Sequence, residues 1–281
     1  MRLFVLTALT MIAFAANSVL NRMALKGGLI DAFDFAAIRL GSGAIALCIL
    51  ALILGRRIPM VAKDRAVGAG SLLLYMVGFS FAYLAMDAGV GALILFGGVQ
   101  VTMFLGALLL GEPIPLRRWI GAGLAAFGLA WLLWPGPEAR LEWGPVLAMA
   151  AAAIGWGIYS LAGRRGGDPL ASTAANFLLA TPIALALVLF GRSGDVATPA
   201  GISLALVSGV VTSGFGYALW YRVLPQLGAA RAGVAQLSVP VIAVIGGMAF
   251  LAEPLTLRLV VAVILVLGGV FLATLPARRA G

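Results

Sequence analysis

Leu108-Leu109-Leu110-Gly111-Glu112-Pro113-Ile114-Pro115-Leu116-Arg117 and Ala249-Phe250-Leu251-Ala252-Glu253-Pro254-Leu255-Thr256-Leu257-Arg258 follow one pattern. In each, an apolar run ends at Glu-Pro, and Leu and Arg follow at matching offsets. The two Glu-Pro pairs stand 141 residues apart (253 − 112), half of a 281-residue chain. The chain therefore reads as two copies of one unit, residues 1–140 and 141–281.

The unit belongs in a membrane. Hydrophobic residues make up 63% of the chain, charged residues 10%, and the mean hydropathy is +1.11. Charges, Pro and Gly divide it into ten apolar stretches, at approximately 3–25, 31–55, 66–86, 89–110, 117–135, 143–163, 169–190, 199–221, 229–251 and 257–275. Each has roughly 20 residues, enough for a helix to cross a hydrocarbon core of about 30 Å. The expected fold is all-α integral membrane, ten transmembrane helices arranged as a five-plus-five repeat. Arg2 ahead of an apolar run, with Ala13-Phe14-Ala15 beyond it, loosely fits a signal peptide. The run continues through Val19-Leu20 to Leu25, so an uncleaved first helix is the better reading.

Composition also excludes several chemistries. The chain has 19 Lys and Arg against 10 Asp and Glu, but the cations flank the apolar stretches and form no basic face. They read as membrane-flanking residues, and nucleic acid is excluded as a partner. With no His and a single Cys, Cys48, there is no His-based catalytic site, no internal disulfide and no thiol cluster for a metal. No cofactor is expected, and no carboxylate pair within one span suggests an enzyme. The partners are the lipid bilayer and a small molecule; a monomer suffices for such a unit.

Loop cations set the orientation. With a cytoplasmic N-terminus, Arg2, Arg56, Arg57, Lys63, Arg65, Arg117, Arg118, Arg164, Arg165, Arg222, Arg231, Arg278 and Arg279 lie inside, 13 of the 19 cations. Arg22, Lys26, Arg140, Arg192 and Arg258 lie outside. Both termini are then cytoplasmic, in a multi-pass protein of the bacterial inner membrane. Five helices per unit is an odd number, so the second copy enters from the opposite face. Such inverted repeats are related by a pseudo-two-fold axis in the membrane plane, and they can exchange conformations to give alternating access.

These features resemble the drug/metabolite transporter superfamily, EamA type. The resemblance rests on the ten helices, the repeat, the Glu-Pro closing the fourth helix of each copy, and Trp156-Gly157 early in the second. One departure is that the matching stretch of the first copy is Phe14-Ala15-Ala16-Asn17. The resemblance implies export of metabolites, often amino acids, through a central cavity lined by both repeats. The aromatic and neutral amino acid exporters are similar in length and layout.

Within the spans, interruptions and polar residues point to a site. Gly97-Gly98 falls near the middle of the fourth stretch, and the 141-residue offset sets Pro240 at the same depth in the ninth. These are the candidate hinges, with Glu112 and Glu253 as gate elements near the surfaces. Asn17, Gln100, Asn176 and Gln236 carry amides that lipid cannot satisfy, and Ser238 sits beside Pro240. Tyr75, Phe79 and Tyr83, spaced i, i+4, i+8, share one helical face; Trp156 and Tyr159 share another. Together these residues form the candidate binding set. Packing glycines, interhelical hydrogen bonds and aromatic belts are the competing explanations. Trp119, Trp131, Trp134 and Trp143 are assigned to a belt, as are Trp220 and Tyr221. Ser208, Thr212 and Gly216 form a small-residue packing face. Arg39, the one cation well inside a span, is read as a structural charge paired with Asp34 or Glu253, or capping carbonyls. Binding of a substrate carboxylate is its less favoured role.

No carboxylate lies at mid-span, which points to a facilitated or weakly coupled exporter of neutral or zwitterionic cargo. The alternatives are a proton-coupled multidrug antiporter through Asp34 or Glu253, and a sugar-phosphate or nucleotide-sugar carrier. The latter needs several deep cations.

Overall fold

The computed structural model describes residues 1–62, 64–109, 111, 114–134, 142–163, 167–191 and 197–274, with 228–230 in backbone only. Glu112 lies outside them. The described chain forms α1 (Arg2–Lys26), α2 (Ala32–Ile53), α3 (Arg65–Ala82), α4 (Ala88–Leu109), α5 (Leu116–Leu133), α6 (Trp143–Ala162), α7 (Pro169–Gly191), α8 (Pro199–Val207), a π-helical stretch (Ser208–Phe215), α9 (Gly216–Gln236), α10 (Ser238–Leu251) and α11 (Leu257–Thr274). Among the described residues, nine spans are long and apolar enough to cross a membrane, taking Pro199–Leu227 as one and Arg231–Leu251 as another. The 18-residue α5 makes the tenth. Large apolar side chains stand exposed around the bundle, among them Ile45, Ile49, Phe127, Ile154, Leu185 and Ile264. A surface of that kind suits lipid.

Local chemistry explains several helix ends. Asp31 Oδ1 accepts from Phe33 N at 2.8 Å to cap α2, and Asp168 Oδ1 accepts from Leu170 N at 3.0 Å to cap α7. Thr198 Oγ1 caps α8 by accepting from Gly201 N at 3.1 Å. The connection expected between the eighth and ninth spans is itself helical, because α9 runs on from Gly216 to Gln236. The interruption comes later, at Leu237. Pro240, third in α10, has no N–H to give the Gln236 carbonyl, so the helix restarts there. The expected weakening of the fourth span is absent: α4 is continuous through Gly97 and Gly98. The pair instead permits close packing, with Gly97 against Leu129 and Val266, and Gly98 against Ala153.

The packing follows a two-fold scheme. α2 packs on α7, α4 on α10 and α5 on α11, each helix meeting its own counterpart. α3 packs on α6, and the mirrored contact is α1 on α8 and the π-helical stretch. Glycines allow this closeness. A Cβ at Gly155 would lie 2.7 Å from both Ser71 O and Tyr75 N, and one at Gly78 would lie 2.6 Å from Ala148 O. The backbones of α3 and α6 are therefore nearly in contact. Replacing Gly155 by Leu should separate them and cut the yield of folded protein several-fold, read as monodisperse material in size-exclusion chromatography.

The repeat extends to backbone conformation. Gly111 (φ 70°) and Ala252 (φ 51°) both adopt the left-handed region just before their Glu-Pro pairs. In the second copy, Glu253 N reaches Gly247 O at 3.1 Å and closes α10. The left-handed region costs an alanine about 1–2 kcal/mol. Ala252→Gly should stabilise the protein by roughly 0.5–1 kcal/mol, after allowing for glycine's larger unfolded entropy. Unfolding in mixed micelles measures this.

Candidate functional site

Where α3, α6 and α9 converge, their aromatic side chains form one continuous stack. The Trp156 ring lies 5.3 Å from Tyr159 at 23° and 5.3 Å from Tyr217 at 19°, so three rings are nearly parallel. Tyr75 meets Trp156 at 5.0 Å and Phe79 at 5.4 Å. Phe79 in turn meets Tyr83 edge-on at 4.7 Å. Phe14 and Phe177 close the sides against Tyr217. Tyr75 and Phe79 come from the first repeat, Trp156, Tyr159 and Tyr217 from the second. Tyr217 and Trp220 are buried and meet Phe14; Trp220 is not a belt residue as expected. Trp119, Trp131, Trp134 and Trp143 are exposed, as a belt requires.

Polar side chains surround this stack. Asn17 Oδ1 accepts from Ser208 Oγ at 2.8 Å and from Thr212 Oγ1 at 2.6 Å, joining α1 to the π-helical stretch. Tyr159 Oη lies 2.9 Å from Thr173 Oγ1, which donates to Tyr221 Oη at 3.1 Å. Arg39 is fully buried; its Nε donates to Ser213 Oγ at 3.0 Å and its Nη2 to Tyr75 Oη at 3.1 Å. Its expected pairing with Glu253 is not formed, because Glu253 is engaged elsewhere. Gln100 and Gln236 are half-buried and make no hydrogen bond among the described residues. Ser238 Oγ donates back to Ala235 O at 2.7 Å, beside the α9–α10 interruption.

Two further clusters close the ends of the bundle. At one end, Arg22 Nε lies 3.6 Å from Glu253 Oε1, and Arg22 Nη2 lies 3.5 Å from Asp87 Oδ1. Arg22 Nη1 also donates to the Tyr83 and Leu84 carbonyls at 3.1 and 2.9 Å. Glu253 Oε2 accepts from Ala88 N at 2.8 Å, so the second repeat caps α4 of the first. Tyr83 belongs here rather than to the stack's centre, since its hydroxyl donates to Ala88 O. At the other end, Arg65 Nη1 donates to Ser172 O at 3.0 Å and Asn176 Oδ1 at 2.9 Å. Asn176 is thus a brace between α3 and α7. An exposed Arg56–Asp168 pair at 3.3 Å adds little there. Sequence reasoning took Arg22 for a loop cation and missed Asp87 as its partner. The one available signal was Asn17, Asn21 and Arg22 at nearly helical spacing in an apolar run.

A bundle of ten apolar spans, built from two interlocked copies with polar contacts at both ends, has the construction of a membrane carrier. The EamA-like transporter family matches the chain twice, at residues 2–134 and 143–275. The matched windows begin 141 residues apart (143 − 2), the spacing of the Glu-Pro pairs. The chain belongs to this family of membrane transporters. It is 48% identical to an uncharacterized protein of Pseudomonas aeruginosa over 276 residues, 98% of this chain and 95% of that one. It is 28% identical to an uncharacterized transporter of Archaeoglobus fulgidus, covering 79% of this chain and 81% of that one. An uncharacterized transporter of Bacillus subtilis, YoaV, is 22% identical over 87% of this chain and 88% of its own. One crystal structure superposes with a TM-score of 0.69 at 20% identity, covering 95% of this chain and 98% of that chain. That likeness concerns the fold.

Burial pushes the Glu253 carboxyl above the usual glutamate range, and the Asp87 charge adds to the rise. The Ala88 N–H, Arg22 and Lys26 pull it partly back. The native state therefore holds this proton to a higher pH than the unfolded chain does. Glu253 favours the fold below the ordinary glutamate range, and that contribution is lost as pH rises through the raised value. The melting temperature of the wild type should fall relative to Glu253→Gln between about pH 4.5 and pH 8. Parallel melting curves for the two proteins would contradict the linkage.

Proposed function

We propose that the chain exports small neutral or zwitterionic metabolites, amino acids first among them, by alternating access between residues 1–140 and 141–281. The observation that carries this reading is the Tyr159–Trp156–Tyr217 stack, extended by Tyr75 and Phe79 where the two repeats meet. Flat rings with polar edges suit a cargo that has an apolar body and a few polar groups. The amides of Gln100 and Gln236, without hydrogen bonds among the described residues, add donors and acceptors of the kind a zwitterion needs. Asn17 on α1 and Ser238 at the start of α10 add polar groups on helices that would move.

The loop cations favour cytoplasmic termini in the bacterial inner membrane. In that orientation the Arg22–Asp87–Glu253 cluster is the extracytoplasmic latch, and the Arg65–Asn176 brace holds the cytoplasmic end. Opening one while keeping the other is the elementary step of alternating access. Pro240 supplies a hinge. Gly97 and Gly98 supply a smooth surface on which α4 can slide, and Glu112 is the gate counterpart of Glu253. A phosphorylated cargo is disfavoured, because Arg22 is already matched by carbonyls and carboxylates and leaves Arg39 as the deep cation.

A second reading, proton coupling through Glu253, is favoured by its buried, raised carboxyl. Counterflow in proteoliposomes against a panel of amino acids, with and without a pH gradient, separates the two. Facilitated export predicts counterflow with no gradient; a strict requirement for one would favour the antiporter. Trp156→Ala and Gln100→Ala should each lower the rate roughly tenfold, the worth of one lost contact of about 1.4 kcal/mol. Unchanged kinetics in both correctly folded variants would remove the stack and the amides from the site.

A further inference from the structure

Among the described residues, Arg39 has the guanidinium at the heart of the bundle, and its surroundings are unusual for a buried cation. Two of its nitrogens donate to hydroxyls, Tyr75 Oη and Ser213 Oγ. The guanidinium carbon stands 5.4 Å from the Tyr75 ring centroid and 5.1 Å from that of Phe79. Nη1 is buried and has no hydrogen-bond partner among the described residues. The ion pairs among the described residues join Arg22 to Asp87 and Glu253, and Arg56 to Asp168; none includes Arg39. Hydroxyls and ring faces soften a buried charge without cancelling it.

The two hydroxyls sharpen the point. Each accepts from Arg39, so each keeps its own O–H proton for another acceptor. Neither donates to one among the described residues. Nη1–H, Tyr75 O–H and Ser213 O–H are therefore three donors around one positive charge, with no acceptor between them. Arg22, by contrast, has carbonyls and carboxylates against its charge, whereas Arg39 has neither among the described residues. The backbone is shaped to build this cluster. Ser213 lies in the π-helical stretch Ser208–Phe215, a rare conformation that often marks a functional site. Gly209, in the same stretch, lets it approach the Arg39 carbonyl so closely that a Cβ would collide with it.

We propose that Arg39, with Tyr75 and Ser213, is a carboxylate receptor that binds the acid group of the cargo. A single guanidinium fork fits one carboxylate by charge and by shape. The Tyr75 ring, which supplies one hydroxyl, also lies 5.0 Å from Trp156. A cargo held at its carboxylate would thus meet the aromatic stack with its side chain. The inference takes its cargo class from the exporter reading, but it concerns binding and is tested by binding.

The test uses wild-type protein in lipid nanodiscs and two matched probe pairs, phenylalanine with phenylalaninamide and phenylacetate with phenylacetamide. Each acid should bind at least about tenfold more tightly than its amide, as a charge-assisted contact requires. Arg39→Gln should abolish the difference, and Tyr75→Phe with Ser213→Ala should narrow it. Equal affinities of acid and amide in the wild type overturn the proposal, as does failure of both acids to bind. A preference that survives in Arg39→Gln overturns it too. If that variant does not fold, an undiminished preference in the Tyr75→Phe/Ser213→Ala double variant does the same. Acid-selective binding without amino acid counterflow would refute the exporter reading alone. Counterflow without acid selectivity would refute the receptor alone.

Discussion

Hydrocarbon offers no hydrogen bonds, so a polar group buried in this bundle must be matched by another part of the chain. Here the match comes repeatedly from the opposite repeat. Asn17 of the first copy is held by Ser208 and Thr212 of the second. Arg65 is matched by Ser172 and Asn176, Arg39 by Ser213, and the Ala88 N–H by Glu253. Each such bond is worth only about 0.6–2 kcal/mol. Leaving one partner bare in a dry interior is more unfavourable than that net value suggests. The copies are thus held by few, directional contacts, grouped at the two ends and the middle.

Between those contacts the interface is smooth. Gly78 and Gly155 bring α3 and α6 together, and Gly121, Gly128 and Gly269 do the same for α5 and α11. Surfaces of this kind pack tightly without interlocking, so helices can shift against one another with little penalty. The aromatic stack occupies a region where large side chains from both copies meet. A smooth glycine-lined interface, polar clusters at both ends and a shared aromatic centre are mechanically compatible with two states of similar energy.

Much of this was legible in the chain itself. Trp156, Tyr159, Tyr75 and Phe79 were recognisable because helical spacing puts each pair on one face, and the faces turned out to meet. Asn17 was recognisable because an amide in an apolar run must find a partner. The partners were not recognisable. Arg39 was expected to pair with Asp34 or Glu253, yet Glu253 is drawn to Arg22 and the α4 N-terminus, and Arg39 turns to hydroxyls. Gly97-Gly98 read equally well as a hinge or a packing surface, and the neighbouring Ala153 and Leu129 fill it as packing. Trp220 looked interfacial until Phe14 covered it.

Periodic and cumulative properties are written in the sequence. The ten spans follow from hydropathy and the duplication from the 141-residue offset. Each of these depends on residues near one another in the chain, or on a sum over many. The tertiary structure alone decided which buried polar group meets which. It placed a cation at position 39 against hydroxyls at 75 and 213, and one at 22 against a carboxylate at 253. Such pairings depend on helix rotation and depth, where a shift of one residue turns a side chain by about 100°. No local pattern specifies that angle, because it is set by the packing of all the helices at once.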